Sequence, residues 1–232
     1  MRNTMLIGLC LVLAASATGT SIFNTGVNDG GTVLPSGSID PHYTLASSPN
    51  GSGPAAFVVI DGQFPFLPYF PGDPVWLPNG ADSKWIGPVA DGLTAIGGPP
   101  GDYTYETTFT LKPSEFGTFQ LTGQMASDNS SRIFLNGVDT GMGASGSIVC
   151  CFEHFTTFHI TSGFVAGVNR LDIVVNNADC GPSCVNPTGL RVEFGAVPEP
   201  TTLMYLAGGI LAISLSRDSR LAALMRRLGR TK

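Results

Sequence analysis

The chain has 232 residues, of which only 12% are charged, and it is rich in glycine (30) and proline (17). This composition disfavours long helices and suits strands joined by many turns. Acidic residues outnumber basic ones by 11 between Thr18 and Pro200, whereas Thr201–Lys232 has an excess of 5 basic residues. The acidic main segment argues against nucleic acid as a partner, because binding nucleic acid requires a basic surface.

Residues 1–17 have the pattern of a secretory signal peptide. A positive charge near the start is followed by an apolar run too short to span a bilayer, and Ala15-Ser16-Ala17 fits the small-residue cleavage pattern. We therefore expect an exported protein. Residues 18–196 then form one domain, and residues 197–232 form a separate tail.

The first part of the domain gives weak strand signals. Residues 18–56 are rich in Gly, Ser and Pro, and either two sheet-edge strands or an ordered loop would fit them. Phe57–Ile60 is a candidate buried strand. Gln63–Trp85 combines many prolines with six aromatic residues. Proline at this density prevents a central strand, so we expect a long ordered loop there.

A regular strand pattern begins at Tyr103. Tyr103–Leu111 and Phe119–Met125 alternate apolar and polar residues, as strands with one buried face do. Asn136-Gly137 is a preferred pair for a tight hairpin turn. The remaining candidate strands are Arg132–Leu135, Phe155–Ile160, Leu171–Val175 and Leu190–Phe194. At least six closely spaced strands, with no helix before residue 201, predict an all-β fold, an antiparallel β-sandwich.

Four cysteines remain after removal of the signal peptide: Cys150, Cys151, Cys180 and Cys184. An even number in an exported chain predicts disulfides. Adjacent cysteines rarely bond each other, so we expect the Cys150-Cys151 pair to bridge to the loop carrying the other two. A local bond between Cys180 and Cys184 is the second pairing. Zinc bound by the four thiolates is a rival interpretation, which the missing C-x2-C spacing disfavours.

The sequence offers ligand-binding candidates but no catalytic constellation. Its histidines lack metal-ligand spacing, and we expect no metal and no cofactor. The carboxylates of Asp61 and Asp73 form the only candidate pair for glycoside hydrolysis. Asp128 and Asn129 lie between two strands, where they would form either a ligand or calcium contact or an Asx-type turn. Trp76 would either stack on a sugar ring or pack in the core.

The tail combines a proline-flanked acid, an apolar run and a basic end. Pro198-Glu199-Pro200 ends the domain, and an apolar helix is expected at about 201–216. The basic residues then include Arg217, Arg220, Arg226 and Arg227. A helix of about 14 residues is about 21 Å long, less than the ~30 Å hydrocarbon core, which favours transient anchoring over a permanent span. The basic end would stay on the cytoplasmic side.

This order closely resembles the PEP-CTERM sorting signal: a Pro-Glu-Pro triplet, a short hydrophobic helix and an arginine-rich end. The resemblance covers about the last three dozen residues. It implies processing near the triplet by exosortase, a membrane enzyme of Gram-negative bacteria that make exopolysaccharide. It also implies a transient inner-membrane location before the protein reaches the cell surface or the extracellular matrix.

The domain is similar to a group of exported proteins of this kind, and Tyr103–Phe194 is similar to galactose-binding-like jelly rolls. The latter include sugar-binding domains attached to some glycosidases. The resemblance implies a jelly roll but no particular binding site, because such domains differ most in their loops. The pieces that carry the first similarity are Phe23-Asn24-Thr25-Gly26-Val27, Asp40-Pro41-His42-Tyr43, Ser83-Lys84-Trp85-Ile86-Gly87, Ala126-Ser127-Asp128-Asn129, Leu135-Asn136-Gly137 and Gly167-Val168-Asn169-Arg170-Leu171.

Three functions follow from these observations. The first is a non-catalytic surface or matrix protein whose domain binds extracellular polysaccharide. The second is a structural or adhesive protein that binds other proteins, which an exposed apolar patch in the 63–86 loop would favour. The third is a secreted hydrolase, which a pocket uniting two carboxylates would favour.

Overall fold

The computed structural model describes residues 20–91, 98–146, 150–181 and 185–195. The expected signal peptide, the tail with its helix and sorting residues, and Cys184 lie outside these ranges. The described residues contain no helix, so none there is long and apolar enough to cross a membrane.

Ten strands pair into one antiparallel sheet, in the order β7-β6-β9-β4-β1-β2-β3-β10-β5-β8. The expectation of an all-β, antiparallel fold is therefore confirmed. The strands are β1 (Ile39–Ser47), β2 (Ala55–Val58), β3 (Ile86–Gly87), β4 (Gly101–Leu111), β5 (Leu121–Asp128), β6 (Ser130–Leu135), β7 (Val138–Asp139), β8 (Thr156–Ile160), β9 (Gly167–Asn177) and β10 (Gly189–Phe194).

The longest ladder joins β4 and β9. It runs from Gly101 opposite Asn177 to Leu111 opposite Gly167. Every second residue of β4 is buried from Tyr103 onward, as the period of two predicts. This alternation places one face of the ladder in the core and leaves the other in solvent.

The sheet is curled, so strands from both ends of its order share one hydrophobic core. Ile133 of β6 and Ile173 of β9 belong to the same buried cluster as Met125 of β5 and Phe158 of β8. The short strand β3 completes the ladder between the two halves, because Ile86 pairs with Val58 on one side and with Leu190 on the other. Closing the core in this way buries apolar surface, the main favourable contribution to folding.

β1 is an interior strand, although the sequence suggested either sheet-edge strands or a loop for this region. It pairs with β2 and β4. The register with β2 shifts between Ile39 and Thr44, and Pro41 lies in that irregular stretch, where its missing N–H is tolerated. The buried Asp40 carboxylate accepts backbone N–H groups of Gly26 (2.6 Å), His42 and Tyr43, which holds the irregular stretch in place.

The predicted Asn-Gly turn is confirmed between β6 and β7. Asn136 and Gly137 have φ of 53° and 81°, and both positive values are required by this tight hairpin. The Asn136 side chain also donates to the Gly163 carbonyl and to Asn169 Oδ1, each at 3.0 Å. The turn is thus tied to the start of β9.

Candidate functional site

A cleft of about 680 Å³ opens where the last residue of β5 meets two long connections. One wall is formed by residues 64–76 of the loop between β2 and β3, and another by the connection between β9 and β10. Trp76, Asp128 and Asn129, the three candidate ligand contacts from the sequence, all line it. The fold therefore brings together residues that lie more than fifty positions apart in the chain.

Trp76 forms a buried part of this cleft. It is only 2% exposed, and its ring stacks on that of Trp85 with centroids 4.2 Å apart. A Cβ added at Gly189 would lie 2.5 Å from the Trp76 ring, so glycine is needed there for the ring to fit. The indole Nε1 donates a hydrogen bond of 2.8 Å to Asp128 Oδ2. Trp76 thus orients Asp128, and its ring is too covered to serve as an open stacking surface.

Asp128 places a buried carboxyl group at the cleft. It is the last residue of β5 and pairs with Gly189 of β10. The Thr188 hydroxyl donates to its backbone carbonyl (2.7 Å). Burial raises the pKa of Asp128 to about 7, although the hydrogen bond from Trp76 opposes the rise. Asp128 therefore changes protonation near neutral pH, where it switches from hydrogen-bond donor to acceptor.

Asn129 links the end of β5 to β9 and to the connection that follows β9. Its side-chain oxygen accepts the N–H of Ala178 (2.8 Å), and its own N–H donates to the Asn176 carbonyl (3.0 Å). These bonds reach across to β9 and the segment after it. Asn129 thereby fixes the position of Ala178, which itself lines the cleft.

The exposed aromatic surface of the cleft comes from Tyr69 and Phe70. Their side chains are 49% and 64% exposed, and the two rings make an edge-to-face contact at 4.9 Å. Tyr69 also packs edge-on against Phe64 at 5.7 Å. Asp73 Oδ2 accepts the N–H of Phe70 (2.7 Å), which fixes the turn that presents the rings. The sequence signal for this surface was the proline-aromatic run, but it did not show which rings stay exposed.

The loop that carries these rings is fastened to β10 by Arg191, a 3% exposed side chain. Its guanidinium donates to Ser83 Oγ (2.6 Å), to Glu193 (2.9 Å) and to the Pro78 carbonyl. The guanidinium carbon also lies 4.8 Å from the centre of the Phe155 ring. Arg191 can be buried on this face of β10 because the loop covers it and supplies acceptors for the charge.

The disulfide pairing differs from the one expected from the sequence. Cys150 is bonded to its neighbour Cys151, and the expected bridge from this pair to the Cys180 loop is wrong. The backbone around this bond is tied to the site, because Cys151 O accepts from Ser127 N (2.9 Å) and Phe152 O from Leu77 N (2.7 Å). The turn thereby places the Phe152 ring in the cleft. Cys180, which is also in a disulfide, lines the opposite wall.

The described residues contain no group of three or more His, Cys, Asp or Glu side chains that could hold a metal ion. The expected carboxylate pair is also divided. Asp73 lines the cleft, whereas Asp61 accepts hydrogen bonds from Asn79, Ser36 and Lys84 and is not part of the lining. These bonds lower the pKa of Asp61 although its partial burial opposes the change, so Asp61 serves as an anchor for the loop.

Comparisons with known proteins give no family. No protein-family description matches the sequence, and no curated protein matches it. Among solved structures, a β-glucosidase from Kluyveromyces marxianus is similar over 47% of this chain, with 10% identity and a TM-score of 0.29. The similar part is 13% of that protein's chain. At this TM-score the likeness supports neither a shared fold nor a shared function.

Proposed function

We propose that this chain is an exported, non-catalytic surface or matrix protein whose cleft binds extracellular polysaccharide. The observation that carries the proposal is the exposed pair of rings, Tyr69 and Phe70, beside the polar groups of Asp128 and Asn186 in one cleft. Sugar rings present apolar C–H faces and polar edges, so they bind where aromatic faces lie next to hydrogen-bonding groups. We assign the curled sheet to the jelly-roll class, which its all-antiparallel pairing supports.

Export and sorting belong to the same proposal. Residues 1–17 direct the chain across the inner membrane, and exosortase recognises Pro198-Glu199-Pro200 with the apolar and basic segments that follow. The anchor is transient, and the processed domain is delivered to the cell surface or the matrix. The support is the order of these segments and the change from an acidic domain to a basic tail at residue 200.

Polysaccharide retention tests the proposal. The full chain should be slowed in gels containing a neutral polysaccharide. Tyr69→Ala and Phe70→Ala should each weaken retention by about twofold to tenfold, since contact with an aromatic ring contributes roughly 0.5–1.5 kcal/mol. Phe116→Ala is the matched control, because Phe116 is a similarly exposed ring (43%) that does not line the cleft. Equal retention of all variants would contradict a site at these rings.

A protein-binding adhesive role is the second candidate. It is favoured by the adjacent exposed side chains of Leu67, Tyr69 and Phe70, which form the apolar patch expected in this loop. A competition experiment distinguishes polysaccharide binding from protein binding. Soluble oligosaccharides displace a bound polysaccharide, whereas they leave a protein partner in place.

A hydrolase is the third candidate, favoured by the near-neutral pKa of Asp128 in a cleft that also contains Asp73 and Asp179. A raised pKa suits a general acid that protonates a glycosidic oxygen. Release of reducing ends from a bound polysaccharide, lost in Asp128→Asn, would establish this activity. We propose binding without cleavage, because Asp128 is 4% exposed and hydrogen-bonded to Trp76.

A further inference from the structure

The cleft carries negative charge without positive charge. Asp73, Asp128 and Asp179 line it, and its lining contains no Lys, Arg or His among the described residues. Two of these carboxylates are held in place by backbone N–H groups. Asp73 accepts from Phe70, and Asp179 accepts from Gly181 (2.8 Å). These bonds fix the positions of the two carboxylates at the cleft.

The rest of the domain adds to this field. Within the described ranges there are 15 Asp and Glu residues and 5 Lys and Arg residues. Four of those five basic side chains lie within ion-pair distance of a carboxylate: Lys84, Lys112, Arg170 and Arg191. The fifth, Arg132, lies over the Phe134 ring, 5.5 Å from its centre, and is not part of the cleft. An approaching anion therefore meets a domain on which negative charges are in excess.

We propose that the cleft selects polysaccharides without acidic groups and excludes those that carry uronate, carboxyalkyl or sulfate groups. This inference rests on the proposed polysaccharide binding and names its substrate class. A carboxylate or sulfate entering the cleft would lose water next to Tyr69, Phe70 and like charges, with no guanidinium or ammonium group to pair with. A hydroxyl-bearing sugar has no such cost, because its hydroxyl groups can donate to the carboxylates.

Matched polymers test the selection. The full chain is run through gels containing hydroxyethyl cellulose, dextran or galactomannan, each compared with its own carboxymethyl derivative. For a neutral polymer that slows the protein, we expect the carboxymethyl derivative to bind about tenfold more weakly than the neutral form at about 20 mM salt. The difference should shrink at about 500 mM salt, because ions screen the repulsion.

Removing a single negative charge from the cleft tests the selection more sharply than changing the polymer. Asp179→Asn should strengthen binding of the carboxymethyl polymer by about threefold and leave binding of the neutral polymer unchanged. An amide oxygen still accepts the Gly181 N–H, so the loop geometry is kept. Asp139→Asn is the control, because it makes the same change of net charge at β7, away from the cleft, and its side chain likewise accepts a backbone N–H.

The possible results distinguish charge selection by the cleft from polysaccharide binding itself. Equal binding of neutral and carboxymethyl polymers would overturn the charge selection and leave polysaccharide binding in place. An equal gain in Asp139→Asn and Asp179→Asn would also overturn it, because the effect would then belong to the net charge. Retention on no neutral polymer would overturn the proposed function and this inference with it.

Discussion

At the scale of single residues, Asp128 is the side chain with the most unusual environment in the cleft. It is buried, it accepts from Trp76 Nε1, and its backbone carbonyl accepts from Thr188. Burial raises its pKa to about 7, since a charged carboxylate loses hydration there. Asp128 therefore connects the acidity of the medium to the stability of the fold.

The stability of the fold should depend on pH through Asp128. The unfolded chain releases this proton near pH 4, whereas the folded protein keeps it to about pH 7, so stability falls as pH rises between these values and is level above them. The full loss is up to about 4 kcal/mol. Asp128→Asn removes this contribution, and an amide oxygen still accepts from Trp76.

Urea unfolding of both proteins at about pH 4.5 and about pH 7.5 measures the effect. We expect the variant to gain stability relative to the original chain at the higher pH. An unchanged stability difference between the two proteins at the two pH values would contradict a raised pKa at Asp128.

The candidate site could be predicted only in part. Trp76, Asp128 and Asn129 were marked by residue type and by their position between strands, and all three line the cleft. Tyr69 and Phe70 were hidden among six aromatic residues of one loop, because exposure depends on how that loop folds. Asp179 follows β9 and gave no local signal, since only the sheet order brings it near Asp128.

At the scale of elements, the loop from Gln63 to Trp85 depends on its attachment to the sheet. Arg191 holds it through Ser83 and the Pro78 carbonyl. Trp85 adds two bonds, from its N–H to Asn79 Oδ1 (2.7 Å) and from its Nε1 to the Leu77 carbonyl (2.8 Å). Because this loop contains no strand, these side-chain bonds position the exposed rings together with backbone bonds such as that from Leu77 N to the Phe152 carbonyl.

Arg191→Met should destabilise the fold by about 3 kcal/mol, because it removes a buried, hydrogen-bonded charge and leaves Glu193 without its ion pair. It should also weaken polysaccharide retention by releasing the loop. Arg170→Met is the control. Arg170 forms ion pairs on the same sheet, but half of its side chain is exposed, so we expect a loss below about 1 kcal/mol. Equal urea midpoints for the two variants would contradict the role assigned to Arg191.

Strands in which apolar and polar residues alternate without interruption could be predicted from the sequence. Strands in which this alternation is interrupted could not. The alternation in Tyr103–Leu111 matched β4, and Asn136-Gly137 matched its turn. The interior position of β1 was not predicted, because Asp40-Pro41 interrupts the strand and bonds to the Asp40 side chain replace the regular ladder there. The burial of Arg191 was missed because alternation cannot show that a distant loop covers the outer face of β10.

At the scale of the whole molecule, the charge of the sequence changes sign at the end of the domain. In the proposed sorting, the acidic domain is exported and the charge of the basic tail favours the cytoplasmic side. Replacing Pro198-Glu199-Pro200 with alanines should leave the protein in the inner membrane, because exosortase would lose its recognition triplet. Thr201→Ala with Thr202→Ala is the neighbouring control, and cell fractionation is the measurement. Surface release that is unchanged by loss of the triplet would count against sorting.

The disulfide between Cys150 and Cys151 borders the cleft, because Phe152 follows it directly and lines the cleft. Their pairing could not be derived from spacing, because a bond between neighbours requires a turn that only the folded chain shows. The Cys150–Cys151 bond lies directly before Phe152, whose carbonyl is bound by Leu77 in the aromatic loop.

We propose that polysaccharide binds in the cleft beside Tyr69, Phe70 and Asp128. Tryptophan fluorescence tests it directly, because the chain has two tryptophans and they are stacked on each other beneath the cleft. Titration with neutral oligosaccharides from a retaining polymer should produce a saturable change in emission, which Tyr69→Ala weakens and Phe116→Ala leaves intact. Saturable binding that is measured by retention but leaves the emission unchanged would place the site elsewhere and contradict binding in this cleft.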